Sequence, residues 1–188
     1  YMERYSADAS DAKLPQMDKL QEKLPLCNMS DVIVDREAGT VYLARDGMSL
    51  DVGAVAKGYA TQLACQEVYE AGFTSFIVSA GGNVVAGDPP LDGVRSSWGV
   101  GIQDPFTADE LNGGNSVDVA YVRNTCVVTS GDYQRFYMVG EQRVHHIIDP
   151  DTLMPADYYR GVTVITPDSG IADLASTTLY TMPYERSR

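Results

Sequence analysis

The sequence predicts an α+β fold in a single domain over residues 1–188. Its 188 residues are enough for one domain of ordinary size, and its 44% hydrophobic content allows a substantial core. Segments with the two-residue alternation of strands are interspersed with segments that have the periodicity of helices. No stretch approaches the ~20 consecutive apolar residues of a membrane-spanning helix, and no internal repeat divides the chain.

The first part of the chain is predicted to contain a helical region followed by a β-hairpin. Residues 1–30 are polar and mostly helical in character. Apolar residues then alternate over 32–34 and 41–43, on either side of the acidic turn 35–39. This pattern is typical of two strands that pair in an antiparallel hairpin.

A helix is predicted from Val55 to Ala71, because Val55, Tyr59 and Leu63 recur at four-residue spacing and Gly72 marks its end. The remaining segments are predicted as a buried strand over 75–79, strands over 98–102, 126–128 and 162–165, an exposed loop over 107–118, and a last helix over about 171–182.

The charge balance restricts the class of ligand. The formal net charge is −12, from 26 acidic and 14 basic residues. Such a protein repels the nucleic-acid backbone, so DNA and RNA are not expected as partners. It also repels phosphate-bearing ligands, which therefore require a divalent metal or local amide donors at their site.

The segment from Asp51 to Gly58 places an acid, two glycines and a lysine at a predicted strand-to-helix junction. Free amides at the start of a helix bind anions, and glycine allows a ligand to approach the backbone. Lys57 is positioned to meet a phosphate, and Asp51 to accept hydrogen bonds from a ligand. A tight turn with a helix-capping Asp51 explains the same residues.

Two further segments carry polar groups near predicted strand ends. Ser130 and Gly131 follow the strand 126–128, where small residues either line a ligand cleft or form an ordinary turn. His145 and His146 are the only histidines, and imidazole is suited to taking a proton near neutral pH. Adjacent strand residues point to opposite faces, so at most one histidine is expected to serve a given site. One histidine in the core and one on the surface is the alternative.

Asp173 and Thr177 lie four residues apart on the last predicted helix, so both side chains address the same point. Two hard oxygen ligands suit Mg²⁺, which keeps positions for water and substrate phosphates. The alternative is an Asp near a helix N-terminus and a Thr that bonds back to the preceding turn.

Six ordered motifs together resemble one family. They are LDVGAVAKGYA (50–60), SAGGNVVAGD (79–88), WGVGIQDP (98–105), TSGDYQRF (129–136), HHIIDP (145–150) and ADLASTTLYTM (172–182). Their order and spacing resemble those of ApbE-like FAD:protein FMN transferases. The resemblance implies the ApbE-like flavin transferase fold, with mixed sheets and flanking helices. It also implies that the chain is the central and C-terminal part of such a protein, an N-terminally truncated fragment.

The resemblance implies an Mg²⁺-dependent enzyme that transfers FMN from FAD to a Ser or Thr hydroxyl of a target protein and releases AMP. The implied partner is an acceptor flavoprotein subunit with a short Ser/Thr flavinylation motif, as in redox-pump or electron-transfer subunits. An FAD pyrophosphatase that yields FMN and AMP, or a non-catalytic FAD-binding protein, remains an alternative. Family members are generally extracytoplasmic, as periplasmic proteins or membrane-anchored lipoproteins, and the resemblance implies the same here.

The resemblance also assigns roles to residues by motif position. Asp173, Thr177 and the backbone carbonyl of Ala54 are the implied Mg²⁺ ligands, and His146 is the implied base that acts on the acceptor hydroxyl. The implied contacts to the flavin nucleotide are Asp51, Lys57, Ser130, Gly131 and His146. Leu153 occupies a position where the family usually has glycine, so the local turn is expected to differ and to crowd the site.

Overall fold

The computed structural model describes Tyr5, residues 8–107 and residues 114–188. Its strands are β1 (Val32–Asp35), β2 (Thr40–Leu43), β3 (Ile77–Ala80), β4 (Asn83–Ala86), β5 (Trp98–Gln103), β6 (Ser116–Val122), β7 (Thr125–Gly131), β8 (Phe136–Val139), β9 (Gln142–His145) and β10 (Gly161–Thr166). Its helices are α1 (Met17–Lys23), α2 (Ala56–Glu70), α3 (Ser169–Tyr180) and α4 (Tyr184–Ser187), with 3-10 turns at Leu24–Leu26 and Met29–Asp31. The predicted α+β fold is confirmed.

The centre of the fold is a four-stranded antiparallel sheet in the order β10-β7-β4-β3. Because adjacent strand residues point to opposite faces, Val128 and Val127 of β7 enter different core clusters. Val128 packs with Cys65 of α2 and Ala172 of α3, whereas Val127 packs with Val100 of β5. The sheet is therefore covered by helices on one face and by the β5–β6 hairpin on the other.

Helix α2 confirms the predicted helix to within one residue at each end. The apolar residues that indicated it do not form its buried face, because Tyr59 is 58% exposed and Leu63 is 45% exposed. The buried residues are instead Gly58, Thr61 and Cys65. Small side chains lie on this face because α2 packs closely against α3.

Gly58 is the point of closest approach between these two helices. A Cβ atom built at this position would collide with the backbone carbonyl of Ser169 and lie 2.5 Å from Cβ of Asp173. Glycine is therefore required at this position by packing, although it is unfavourable in a helix interior. The contact places the start of α2 directly beside Asp173.

Helix α3 begins two residues earlier than predicted, at Ser169. The side chain of Asp168 caps it, because Oδ1 accepts a hydrogen bond of 2.9 Å from the backbone N–H of Ile171. The helix ends at Tyr180, two residues before the predicted end. Its buried positions include Asp173 and Ser176, which point towards the sheet and α2.

The prediction of a mostly helical segment over residues 1–30 is confirmed for part of the described residues and wrong over 8–16 and 27–28, which are not helical. Over residues 8–30 the α-helical segment is α1, and 3-10 turns follow it. Pro25 lies within the first of these turns, and proline removes a hydrogen-bond donor that a continuing helix would need. Residues 1–4, 6 and 7 lie outside the described part of the chain.

Several strands differ from the sequence prediction. Strand β3 starts two residues later than predicted and is an edge strand, so Ile77 is 40% exposed rather than buried. Strand β7 extends through Gly131, so the turn expected after residue 128 begins later. The loop predicted over 107–118 is wrong at its end, where β6 begins at Ser116, and residues 108–113 lie outside the described range.

The remaining predicted strands are confirmed. The predicted hairpin is β1–β2, which pairs across its acidic turn, and in that turn Asp35 Oδ1 accepts hydrogen bonds from the backbone amides of Glu37 and Ala38. Strands β5 and β10 match their predicted segments to within one residue. Among the described residues, no helix has the length and apolar character needed to cross a bilayer.

Candidate active site

A cavity of about 770 Å³ lies beside the contact between α2, α3 and β7. Its walls come from segments far apart in the sequence: the loop before α2, the end of β7, the region around β9, and α3. All of the predicted site residues line it, namely Asp51, Ala54, Lys57, Ser130, Gly131, His146, Asp173 and Thr177. The fold therefore gathers in one place the groups that the motifs singled out separately.

The first wall is the loop before α2 and the first turn of that helix. Strand β2 ends at Leu43, so Asp51 lies in a loop and not at a strand end as predicted. Asp51 Oδ1 accepts a hydrogen bond of 2.6 Å from the backbone N–H of Gly53. The N-cap position of α2 is Val55, with no side-chain cap, so the helix-capping interpretation of Asp51 is wrong. Its carboxylate instead fixes a local turn and remains exposed.

Lys57 connects α2 to the turn between β3 and β4. Its Nζ donates a hydrogen bond of 2.9 Å to the carbonyl of Gly81. Gly81 and Gly82 have φ values of +56° and +98°, the left-handed region that glycine adopts without strain. An ammonium group has three donors, so this bond orients Lys57 while leaving donors for a ligand.

Asp173 and the hydroxyl groups around it form the second wall. Asp173 is only 5% exposed, and its Oδ2 accepts a hydrogen bond of 2.7 Å from the backbone N–H of Gly58. Ser130 Oγ lies 2.8 Å from Ser176 Oγ and 3.2 Å from Thr177 Oγ1. Thr177 Oγ1 also donates to the carbonyl of Asp173 at 3.3 Å, which is the back-bonding alternative anticipated from the sequence.

The donor set at this wall consists of hard oxygen atoms. The described residues contain no cluster of three or more His, Cys, Asp or Glu side chains that could hold a metal. Asp173 nevertheless keeps Oδ1 without a hydrogen-bond partner among the described residues, and Thr177 Oγ1 is beside it on the same helix face. One carboxylate with a hydroxyl and a carbonyl suits Mg²⁺, which retains waters and substrate phosphates as its other ligands.

His146 forms the third wall and has a defined orientation. Its Nδ1 lies 3.2 Å from the backbone carbonyl of Arg135, and a carbonyl only accepts, so Nδ1 carries the proton. In the neutral ring Nε2 therefore bears the lone pair. Desolvation lowers the pKa of His146, the bond to Arg135 opposes this, and the positive charges of Arg135 and Lys57 lower it further. The ring is thus neutral at pH 7 and able to accept a proton.

His145 is buried and has a structural role, which confirms that one histidine is in the core and the other exposed. Its Nε2 donates to the carbonyl of Ala156 at 2.9 Å, and its Nδ1 accepts from the N–H of Ile147 at 3.3 Å. Both ring nitrogens are therefore occupied, although the residue borders the cavity. Desolvation lowers the pKa of His145, which keeps the ring neutral.

Comparison with known proteins decides the family. The sequence profile described as the ApbE family matches residues 2–188. This chain belongs to the ApbE family. It is 36% identical to an FAD:protein FMN transferase of Treponema pallidum, over 94% of this chain and 51% of the relative. It is 31% identical to an FAD:protein FMN transferase of Klebsiella pneumoniae, over 92% of this chain and 51% of the relative.

Solved structures of ApbE proteins show the same fold. The ApbE protein of Thermotoga maritima superposes with a TM-score of 0.82 at 30% identity, covering 96% of this chain and 57% of that one. The flavin transferase ApbE of Vibrio cholerae superposes with a TM-score of 0.75 at 25% identity, covering 94% and 53%. The chain thus spans about half the length of the curated relatives that it matches.

Leu153 lies in the turn that follows the histidines, at the position expected to be glycine in the ApbE family. Its φ is +60°, so the backbone keeps the left-handed conformation although the residue is leucine. Its N–H donates to the carbonyl of Asp149 at 2.8 Å, and Asp149 N–H donates to the carbonyl of Met154 at 2.9 Å. The turn therefore closes normally, and the leucine side chain becomes part of the cavity wall.

Sequence reasoning missed Arg135, which also lines the cavity. Arg135 lies in the motif that contains Ser130 and Gly131, and it is one of only 14 basic residues in an acidic chain. Its place in that motif was the feature of the sequence that could have indicated a role in the site. Its significance depends on the position of β8 and β9, which were not predicted.

Proposed function

We propose that this protein transfers FMN from FAD to a Ser or Thr hydroxyl of a target protein and releases AMP. The observation that carries the proposal is the single cavity in which a neutral histidine, two cationic side chains and an oxygen-rich wall meet. Its curated relatives are named FAD:protein FMN transferases, which supports the same reaction.

The reaction replaces the phosphoanhydride bond of FAD with a phosphoester bond between FMN and the acceptor. The acceptor hydroxyl oxygen attacks the phosphorus atom of the FMN half, the bond between that phosphorus and the bridging oxygen breaks, and AMP leaves with the bridging oxygen. The hydroxyl proton passes to Nε2 of His146, whose lone pair is oriented by the bond between Nδ1 and Arg135. A positioned base of this kind contributes about 10²–10⁴-fold in rate.

The pyrophosphate is the part of FAD that this acidic protein is least suited to bind without help. Lys57 supplies one cation, oriented by its bond to Gly81. Mg²⁺, when bound by Asp173, Thr177 and the carbonyl of Ala54, would neutralise phosphate charge. Phosphoryl transfer depends mainly on such positioning and charge stabilisation, so these groups supply most of what the reaction needs.

The proposed acceptor is a flavoprotein subunit that carries a short Ser/Thr motif. The exposure of His146 supports access by a macromolecular hydroxyl from the open side of the cavity. The neighbouring His145 is buried and hydrogen-bonded to the backbone, which restrains the chain at His146.

Product analysis tests the proposal. The protein is incubated with FAD, Mg²⁺ and an acceptor domain carrying a Ser/Thr motif, and the acceptor mass and released AMP are measured together. The expected result is a mass gain of one FMN phosphoester per AMP released, lost on addition of EDTA. Glu67→Gln, an exposed change on α2, is the matched control and is expected to behave as the unmodified protein.

Two other products would contradict the proposal and identify the alternatives. Free FMN and AMP without an acceptor mass gain would show an FAD pyrophosphatase. Saturable FAD binding without either product would show a non-catalytic FAD-binding protein.

A further inference from the structure

Arg135 places a second cationic side chain at the cavity, beside Lys57. It lies between β7 and β8 and is exposed. Within the part of the chain that the structure describes, its guanidinium group makes no ion pair or hydrogen bond. A guanidinium has five donors and remains charged at any relevant pH, so these donors are available to a ligand.

The absence of a partner is informative in this protein because carboxylates are abundant. Other arginines bind them: Arg45 to Asp31, Arg95 to Asp92, Arg160 to Asp132, and Arg188 to Glu185. Arg135 shares its cavity with the carboxylates of Asp51 and Asp173 and yet is bonded to neither. Among the described residues, its guanidinium is therefore not neutralised by a bonded carboxylate, although the residue lines the cavity.

We infer that Arg135 binds the diphosphate of a nucleotide in this cavity, together with Lys57. The inference rests on the function proposed above and assigns that function a further substrate-binding residue. Guanidinium groups bind phosphate oxygens through two parallel hydrogen bonds, whereas a lysine ammonium acts as a point charge. The two residues come from different walls of the cavity, so together they address a diphosphate from two directions.

Arg135 also links diphosphate binding to the base. Its backbone carbonyl accepts the hydrogen bond from His146 Nδ1, while its side chain charge acts on the same ring. The other titratable groups around His146 are Lys57 on α2, His145 on β9, and the carboxylates of Asp51 and Asp173 across the cavity. Removing the Arg135 charge leaves the carbonyl in place and raises the pKa of His146, since the charge lowers it.

The test compares Arg135→Gln, Arg135→Met and Arg135→Lys with Arg95→Gln as the matched control. Arg95 pairs with Asp92 at 2.6 Å and is absent from the cavity lining. ADP is the probe, because it carries a nucleotide diphosphate without flavin, and its dissociation constant is measured by calorimetry with and without Mg²⁺. The two neutral variants are expected to bind ADP about 10- to 100-fold more weakly, the effect of losing hydrogen bonds to a charged group.

Arg135→Lys and the pH dependence of FMN transfer distinguish a loss of ligand contacts from a general disturbance of the fold. Arg135→Lys is expected to bind ADP more tightly than the neutral variants and less tightly than the unmodified protein, and Arg95→Gln is expected to bind normally. In FMN transfer, Arg135→Gln is expected to raise KM for FAD and to move the acidic limb of the rate profile to higher pH.

Folded neutral variants that bind ADP as tightly as the unmodified protein would overturn the inference, as would an unmodified protein that does not bind ADP. If one neutral variant fails to fold, the other and Arg135→Lys give the same comparison. Normal Arg135-dependent ADP binding without FMN transfer would refute the proposed function while supporting the role of Arg135.

Discussion

His146 lines the cavity, and its Nδ1 is bonded to the backbone carbonyl of Arg135. The bond from Nδ1 to the Arg135 carbonyl fixes the ring, and its neighbours disfavour the charged form. A general base must be neutral to act, so a lowered pKa extends its useful range downward in pH. Desolvation and the nearby positive charges keep the ring neutral, whereas the hydrogen bond to the Arg135 carbonyl raises its pKa but holds the ring in a fixed orientation.

The lowered pKa of His146 predicts how the rate of FMN transfer falls at acidic pH. The rate of FMN transfer is expected to fall as the pH drops through the pKa of His146, with a midpoint below about 6.5, the ordinary value for histidine. The profile of kcat/KM against pH measures the midpoint for the free enzyme. A midpoint clearly above the ordinary value would show that the charged ring is favoured and would contradict the assigned environment.

Leu153 carries a conformational cost that can be measured. Leucine in the left-handed region is disfavoured by about 1–2 kcal/mol relative to glycine. Leu153→Gly is therefore expected to have a free energy of unfolding about 1 kcal/mol higher than that of Leu153→Ala, because both variants lose the side chain and only glycine relieves the backbone. Urea denaturation followed by circular dichroism measures this change.

Leu153→Ala is the control, because it removes the apolar side chain but retains a Cβ atom at positive φ. It is expected to lower the free energy of unfolding, since burial is lost without relief of the backbone. Equal stability of the glycine and alanine variants would mean that the left-handed conformation costs nothing at this turn.

The sequence motifs identified the residues of the candidate site, but they did not predict the contacts that these residues make. Asp51, His146 and Asp173 were recognised from their motifs, and all three line the cavity. The turn that the Asp51 carboxylate forms with the N–H of Gly53 was not predicted. The sequence equally allowed Asp51 to cap α2, and only the structure shows that α2 begins later, after Val55. Arg135 was missed because an unpartnered guanidinium can be recognised only once its neighbours are known.

At the scale of elements, the contact between α2 and α3 determines the geometry of the oxygen-rich wall. Gly58 allows the two helices to approach, and its N–H bonds to Asp173 Oδ2 at 2.7 Å. The same residue thus sets the helix spacing and orients the carboxylate. A change at Gly58 is therefore expected to affect both stability and metal binding.

Gly58→Ala is predicted to lower the free energy of unfolding by about 1–3 kcal/mol, the cost of overpacking a close contact. Alanine is a better helix former than glycine by about 1 kcal/mol, and this gain offsets part of the cost of the clash. Ala60→Gly, at an exposed position of the same helix, calibrates that propensity. A Gly58→Ala variant as stable as the unmodified protein would show that the helices can separate at no cost.

Helix α2 illustrates why periodicity located an element but not its buried face. Tyr59 and Leu63 indicated a helix, yet both are exposed, because a face made of large residues cannot approach α3 as closely as Gly58 requires. The short strands β8 and β9 were missed for a different reason. Each has four residues and, among the described strands, pairs with the other alone, so neither shows a long alternating pattern.

At the scale of the whole molecule, the net charge of −12 contrasts with the cations that face the cavity. Lys57 and Arg135 concentrate positive charge where the anionic part of FAD is proposed to bind. The described fold is shared with ApbE proteins that are about twice as long as this chain. The reaction assigned to it therefore remains a proposal, resting on the assembled cavity.

The proposed metal dependence can be tested at Asp173. Asp173→Asn is predicted to raise the Mg²⁺ concentration needed for half-maximal FMN transfer by about tenfold or more, because the carboxylate is the charged ligand of the proposed set. Titration of activity with Mg²⁺ after treatment with EDTA measures this value. Activity that is insensitive to EDTA, or an unchanged Mg²⁺ requirement in Asp173→Asn, would contradict the proposed metal site.

The most direct test of the account separates binding from chemistry at His146. The dissociation constant for FAD and the rate of FMN transfer to the acceptor are measured for the unmodified protein and for His146→Ala. The account predicts a rate of FMN transfer lower by about 10²–10⁴-fold, with a much smaller change in the affinity for FAD. A variant that transfers FMN at the normal rate would show that His146 is not the base and would contradict the central claim.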